Sequence, residues 1–114
     1  MDIKLIVAMI RRDRLEDVEK TLQDIGVERI CVSKVKGYGE YHDFFARSWM
    51  VEEVRLEICT RADEVEAITA AIMEAAHTGL PGDGIVAVMP VEKLFLIRTR
   101  SEATSEEFWP RTES

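Results

Sequence analysis

The sequence predicts an α+β domain of ferredoxin-like topology, βαββαβ with a short extra C-terminal strand. Three observations carry that prediction. Strand-length segments rich in aliphatic residues occur several times along the chain, two segments between them repeat apolar residues at helical spacing, and the order strand, helix, strand occurs twice in succession. At 114 residues the chain suits one domain, and association with further copies would let so small a domain bury more apolar surface.

Ile3 to Ile10 is almost continuously apolar (Ile3, Leu5, Ile6, Val7, Ala8, Met9, Ile10), which predicts a central strand. Asp13 with Glu16 three residues later has the form of a capping box, and Leu15, Val18, Leu22 and Ile25 follow at helical spacing up to Gly26. Ile30 to Val35 reads as the second strand. Val54 to Thr60 reads as the third, with Val54, Leu56 and Ile58 alternating against Arg55, Glu57 and Cys59. Asp63 with Glu66 repeats the capping pattern, and Val65, Ile68, Ile72 and Ala75 give the stripe of a second helix ending near His77. Ile85 to Val91 and Leu94 to Arg98 complete the set, and Glu92-Lys93 between them would make a hairpin turn.

Both helices then lie on one face of the sheet, and a partner subunit is the natural cover for the other. The folded domain is expected over residues 1–100. Residues 101–114 are polar and acidic apart from Phe108-Trp109-Pro110, and read as a tail that is mobile or docks on a neighbour.

Charge excludes one large class of partner. Fifteen Lys and Arg against 22 Asp and Glu give a net charge of −7, so nucleic acid would meet a repulsive field with no basic stripe to overcome it. The densest positive cluster, Arg11, Arg12 and Arg14, reads as a solvated edge. No apolar run approaches the length of a membrane span and the N-terminus does not resemble a signal peptide, so a cytoplasmic protein without membrane insertion is expected. Cys31 and Cys59 lack metal-ligand spacing, and no metal is expected. Two buried, reduced thiols are the simplest reading. A hairpin register with Lys36 facing Val54 would set Cys31 opposite Cys59 and leave a redox-sensitive pair geometrically open.

Two glycine clusters mark the candidate site. Thr78-Gly79-Leu80-Pro81-Gly82-Asp83-Gly84 lies between the second helix and the strand beginning at Ile85, and Lys36-Gly37-Tyr38-Gly39 follows the second strand. Glycine reaches φ > 0 without steric cost and has no Cβ to hold an anion off the backbone, so such loops can cradle phosphate. The same residues also serve as ordinary helix-end and turn punctuation. From Gly37 to about Glu53 the sequence loses periodicity and gathers Tyr38, Tyr41, His42, Phe44, Phe45 and Trp49, a composition suited to binding or docking and equally to packing on the body.

Val35-Lys36-Gly37-Tyr38-Gly39, the 78–84 cluster and Ile97-Arg98-Thr99, in that order, resemble the PII signal-transduction family from about Met1 to Thr99. The resemblance implies a trimer that binds adenine nucleotides in clefts between subunits. It also implies a T-loop, here about residues 37–53, whose conformation reports the ligand to a partner protein, and a B-loop at about 78–85. Residue by residue it assigns Leu80, Gly82, Asp83 and Gly84 to the B-loop side of the nucleotide and Gly37, Tyr38 and Gly39 to the base of the T-loop. Met9, Cys31, Glu57 and Cys59 fall at pocket-lining positions, and Arg98 at the C-terminal phosphate contact.

The departures from the family pattern shape the expected ligand. Ile85 stands where the family carries a lysine after Gly-Asp-Gly, and Leu96-Ile97-Arg98 stands where it has Arg-x-Arg, so two phosphate-binding cations are missing. Each such contact is worth about 1.5–3 kcal/mol, and ADP or AMP is expected to compete well with ATP. Tyr41 replaces the glutamine that helps hold Mg²⁺ and 2-oxoglutarate. Glu53 lies near the position of a lysine that pairs with that keto-acid, and its charge would repel a dicarboxylate. Trp49 stands near the modifiable tyrosine.

In these respects the chain resembles PII-like proteins associated with inorganic-carbon uptake and carboxysomes, which makes bicarbonate a candidate co-effector. The amides of Gly39, Glu40 and Tyr41, with Arg47 or Arg98, are the groups to hold it. The resemblance implies a non-catalytic sensor acting on a transporter or enzyme through the T-loop. Three alternatives stay open: the standard nitrogen-regulatory role, a ferredoxin-like phosphohydrolase using Asp83 with His42 or His77, and an interaction module without ligand.

Overall fold

The computed structural model describes residues 2–35 and 52–104. A four-stranded antiparallel sheet of β1 (Ile3–Arg11), β2 (Cys31–Val35), β3 (Glu53–Arg61) and β4 (Ile85–Val91) is ordered β2-β3-β1-β4. Helices α1 (Leu15–Asp24) and α2 (Val65–Ala76) connect β1 to β2 and β3 to β4. This is the ferredoxin-like arrangement, with the nearly continuous apolar strand β1 in the interior of the sheet.

The alternation of β1 and β3 sorts their side chains onto two faces. Ile6, Ala8 and Ile10 of β1 and Val54, Leu56 and Ile58 of β3 point into one core with Val18 and Leu22 of α1 and Ile68 and Ile72 of α2. Eight of these ten lie at 0–1% exposure, and full burial of such a side chain contributes about 1.5–3 kcal/mol. Ile25, expected at the end of the α1 stripe, instead lies beyond the last turn and is 40% exposed.

Neither expected capping box forms. Each strand runs directly into its helix through a 3-10 turn, Arg12–Arg14 or Ala62–Glu64, and no side chain caps either start. The neighbouring strand end replaces the cap. Arg12 N–H donates to the Glu52 carbonyl at 2.8 Å and Ala62 N–H to the Asp2 carbonyl at 2.9 Å, so donors that a helix start leaves orphaned are satisfied across the β1–β3 pair. The end of α1 follows the sequence more closely. Gly26 takes φ +98°, its N–H bonds to the Gln23 carbonyl at 3.0 Å and the Val27 N–H to the Leu22 carbonyl at 2.9 Å, a Schellman closure.

The other sheet face carries rows that cross all four strands. One runs Ala87, Val7, Glu57, Cys31 and the next Ile85, Met9, Arg55, Ser33. The β2–β3 register is therefore two residues away from the expected one: Cys31 opposes Glu57, not Cys59, and Lys34 opposes Val54. A two-residue shift preserves the face, so the cysteines remain diagonal neighbours. Cys31 is exposed rather than buried and Cys59 is half-buried. Burial pushes the Cys59 thiol upward, and Cys31 and Glu57 add to the shift.

The expected β4 hairpin around Glu92-Lys93 is absent among the described residues. A short β5 (Phe95–Leu96) pairs instead with β6 (Ser101–Glu102), and the turn between them places Arg100 at φ +56°. Arg100 N–H donates to the Leu96 carbonyl at 2.8 Å and Ala103 N–H to the Leu94 carbonyl at 2.9 Å. Ser101, where the tail was expected to begin, thus lies inside a hairpin, and Phe108-Trp109-Pro110 lies outside the described residues.

Candidate functional site

The 78–84 loop is held around one carboxylate. Asp83 Oδ2 accepts from the backbone N–H groups of Thr78 and Gly79, each at 2.9 Å. Its Oδ1 accepts from the Thr78 hydroxyl and, at 3.1 Å, from Arg11 Nε. Arg11 also reaches the Pro81 carbonyl through a terminal nitrogen at 2.8 Å, and the Leu80 N–H donates to the Thr78 hydroxyl oxygen at 3.1 Å. Burial pulls the Asp83 carboxyl upward, but the hydrogen bonds from Thr78, Gly79 and Arg11 outweigh it and hold the group well below the usual carboxylate range.

Glycine is required at the far end of this loop. Gly84 has φ +102°, and a Cβ there would lie 1.7 Å from the Met9 carbonyl oxygen. The loop therefore enters β4 pressed against the β1 backbone, a contact no side chain permits. Gly79 and Gly82 also have positive φ, at +85° and +100°. The loop is thus pre-shaped, with the amides of residues 78 to 80 satisfied inside it.

Of the expected site residues, Met9, Asp83 and Gly84 come together. They line a cavity of about 260 Å³ with Ile72, Met73, His77 and Ile85 at the end of α2. Leu80 projects from the loop at 60% exposure, Gly82 is buried, and Arg98 is exposed in the turn between β5 and β6. Cys31, Glu57 and Cys59 form a second group, on the open face toward the β2 edge, where Glu57 pairs with Arg55 at 3.0 Å. Gly37, Tyr38 and Gly39 lie outside the described residues, as do Tyr41, His42, Arg47 and Trp49. Glu53, the first residue of β3, is 3% exposed and stands opposite Arg11 in the β1–β3 register.

Reading Arg11, Arg12 and Arg14 together as a solvated edge misses what each does. Arg11 is 12% exposed and binds the loop. Arg12 pairs with Glu52 at 2.6 Å. Arg14 donates twice to the Ala75 carbonyl, at 3.0 and 2.7 Å, and pairs with Asp17 at 3.1 Å. The available signal for Arg11 was its parity with Met9, which puts it on the open face of β1 at the strand end nearest the glycine loop.

Comparison with known proteins agrees with the fold. Residues 3–101 match the family model described as nitrogen regulatory protein P-II. The chain is 35% identical over 107 residues to the nitrogen regulatory protein P-II of Pasteurella multocida, covering 88% of this chain and 96% of that one. It is 36% identical over 105 residues to nitrogen regulatory protein GlnK2 of Haloferax mediterranei, covering 85% of each. Among solved structures, Arabidopsis thaliana PII bound to citrate superposes with a TM-score of 0.74 at 29% identity, over 90% of this chain and 89% of that one. With the strand order, the Asp83-centred loop and a family match spanning nearly the whole described body, the chain belongs to the nitrogen regulatory protein P-II family.

Proposed function

We propose that this protein is a trimeric, non-catalytic sensor that binds ADP or AMP, and ATP more weakly, at its subunit junctions. The bound nucleotide regulates a protein partner, a transporter or enzyme, through residues 37–53. The observation that carries this reading is the braced 78–84 loop, which brings the Cβ-free backbone of Gly84 to a Met9-lined cavity. Met9, Gly82, Asp83 and Gly84 act from this side with Leu80, Gly37, Tyr38, Gly39 and Arg98. Cys31, Glu57 and Cys59, displaced toward the β2 edge within one protomer, suit a second wall contributed across a junction. The half-exposed apolar side chains of β4, Ile85 at 55% and Met89 at 39%, favour cover by another copy.

The nucleotide preference follows from charge. Ile85 is an exposed aliphatic side chain immediately after the loop, in the position where the family pattern has a lysine, so the terminal phosphate of ATP loses a charge-assisted contact. Asp83 is unsuited to turnover because both its oxygens already accept hydrogen bonds and its basicity is lowered. This favours a sensor over a phosphohydrolase. Bicarbonate, held near Arg98 and the amides that follow Gly37, is the co-effector we favour, with a role in inorganic-carbon metabolism.

The second reading is the standard nitrogen-regulatory role, which the names of the relatives favour and which the buried acidic Glu53 disfavours as a keto-acid site. Calorimetric titration with AMP, ADP and ATP, each with and without bicarbonate or 2-oxoglutarate, tests both. Tighter ADP or AMP than ATP, with a bicarbonate effect, supports the first. Strong synergy of 2-oxoglutarate with Mg-ATP supports the second, and no heat or thermal shift with any nucleotide at millimolar concentration leaves only an interaction module.

A further inference from the structure

We infer that Arg11 is the positioning residue of the glycine-rich loop. It fixes residues 78–84 in their ligand-ready shape before a ligand arrives, and it affects binding through Asp83 and Pro81 rather than by touching the ligand. The consequence for binding rests on the nucleotide reading above; the clasp itself does not.

Arg11 ends β1, an interior strand of the sheet, and stands opposite Glu53 of β3. Its guanidinium commits two nitrogens to two separate points of the loop, the Asp83 carboxylate and the Pro81 carbonyl. Asp83 passes that grip to Thr78 and Gly79, so one side chain ties both ends of the loop to the sheet. A planar fork can meet two acceptors at once, whereas an ammonium offers a single point of charge. At 12% exposure, with these bonds made, the guanidinium has little freedom to follow a phosphate. A loop already shaped this way gives up less conformational freedom when a ligand binds.

A strand-end arginine does not reach this far by necessity. Arg61 ends β3 in the same way, and its described ion pairs stay within its own turn, to Asp63 at 3.2 Å and Glu64 at 3.7 Å. The reach of Arg11 is therefore specific to the loop it faces.

Amide hydrogen exchange on the ligand-free protein tests the clasp, because local opening sets the exchange rate. In Arg11→Ala, exchange at Thr78 and Gly79 should rise about tenfold or more while the α1 amides stay unchanged, with Arg11→Lys intermediate. Unchanged exchange at Thr78 and Gly79 would overturn the proposal. Calorimetry on the same variants then separates positioning from contact. Positioning requires a loss of about 5–20-fold that is the same for AMP, ADP and ATP, and no further loss when Arg11→Ala is added to Asp83→Asn. A loss that grows with phosphate number would mean direct contact and would also overturn it. If Arg11→Ala folds poorly, Arg11→Lys supports the same two comparisons at smaller amplitude. A wild-type protein that binds none of the three nucleotides would refute the nucleotide reading, and exchange alone would then decide the clasp.

Discussion

The two halves of this molecule are built to one plan. β1, its 3-10 turn and the start of α1 occupy residues 3–11, 12–14 and 15, and β3, its turn and the start of α2 occupy 53–61, 62–64 and 65. Each residue of the first unit thus has a counterpart fifty places later. Val18 and Ile68 are both fully buried, as are Leu22 and Ile72, and the N–H after each strand bonds across to the other strand's entry. The backbones of the halves diverge at the ends of their helices, where the second runs two residues further. The first closes tightly on Gly26 and moves on to β2, while the second opens into the loop of residues 78–84 that Arg11 grips. Repetition of the scaffold supplies the core, and its breakdown at one helix end supplies the site.

Four measurements, each by urea denaturation at fixed protomer concentration, break or sharpen that contrast. The largest effect is expected at Gly84. Gly84→Ala drives a Cβ into the Met9 carbonyl at a left-handed φ and should cost about 4 kcal/mol or more, whereas Gly26→Ala, strained by its positive φ, should cost about 1–2 kcal/mol. Equal costs would mean that the glycine loop is no more constrained than the α1 closure.

Asp83→Asn comes next and should destabilise by about 1–2 kcal/mol at neutral pH, allowing for the 26% exposure of the side chain. Its pH dependence has a definite sign. The folded carboxyl titrates below its ordinary value, so its contribution is fully present above about pH 5 and is lost as pH falls through about 4 and lower. The gap between wild type and Asp83→Asn should close over that acid range. A gap that widens on acidification would contradict the clasp.

Thr60→Val is expected to stabilise by about 1 kcal/mol. Its hydroxyl is fully buried and has no hydrogen-bond partner among the described residues, while its counterpart Ile10 fills the equivalent place with hydrocarbon. Destabilisation would reveal a partner for the hydroxyl in the assembled protein. The smallest effect belongs to Arg61→Ala, within about 0.5 kcal/mol, because its pairs stay within its own turn, one to an exposed Asp63 and the other to Glu64 at 3.7 Å. A cost there matching that of Arg11→Ala would erase the difference between the two strand ends.

The repeated strand and helix pattern was legible because burial imposes periodicity: the helical stripes and the alternation of Val54, Leu56 and Ile58 stand in the sequence, whereas the selection of Ile6, Ala8 and Ile10 for the core does not, because β1 is apolar on both faces. Gly82, Asp83 and Gly84 were legible as a loop because so few residues tolerate that backbone. The job of Asp83 was not. Its partners Thr78 and Arg11 lie five and seventy-two positions away, and only the close approach of β1 to the start of β4 joins them. The capping boxes failed because Asp13 and Asp63 lie inside the 3-10 turns, which leaves Arg14 and Glu64 at the N-cap positions of the two helices. The cysteine register was missed by two residues because Lys34 and Lys36 have the same parity in the sequence, and either fits the alternation.

Arg14 extends this picture beyond the loop. Its guanidinium holds the Ala75 carbonyl in the last turn of α2, two residues before His77 and at the threshold of the glycine segment. Tension applied to that segment is therefore borne at one margin by the sheet and at the other by the opening turn of a different helix. The Leu80 side chain, which projects from the rim between, can change in size or polarity without touching either mooring, which leaves selection free to retune what the crevice admits while its frame stays put.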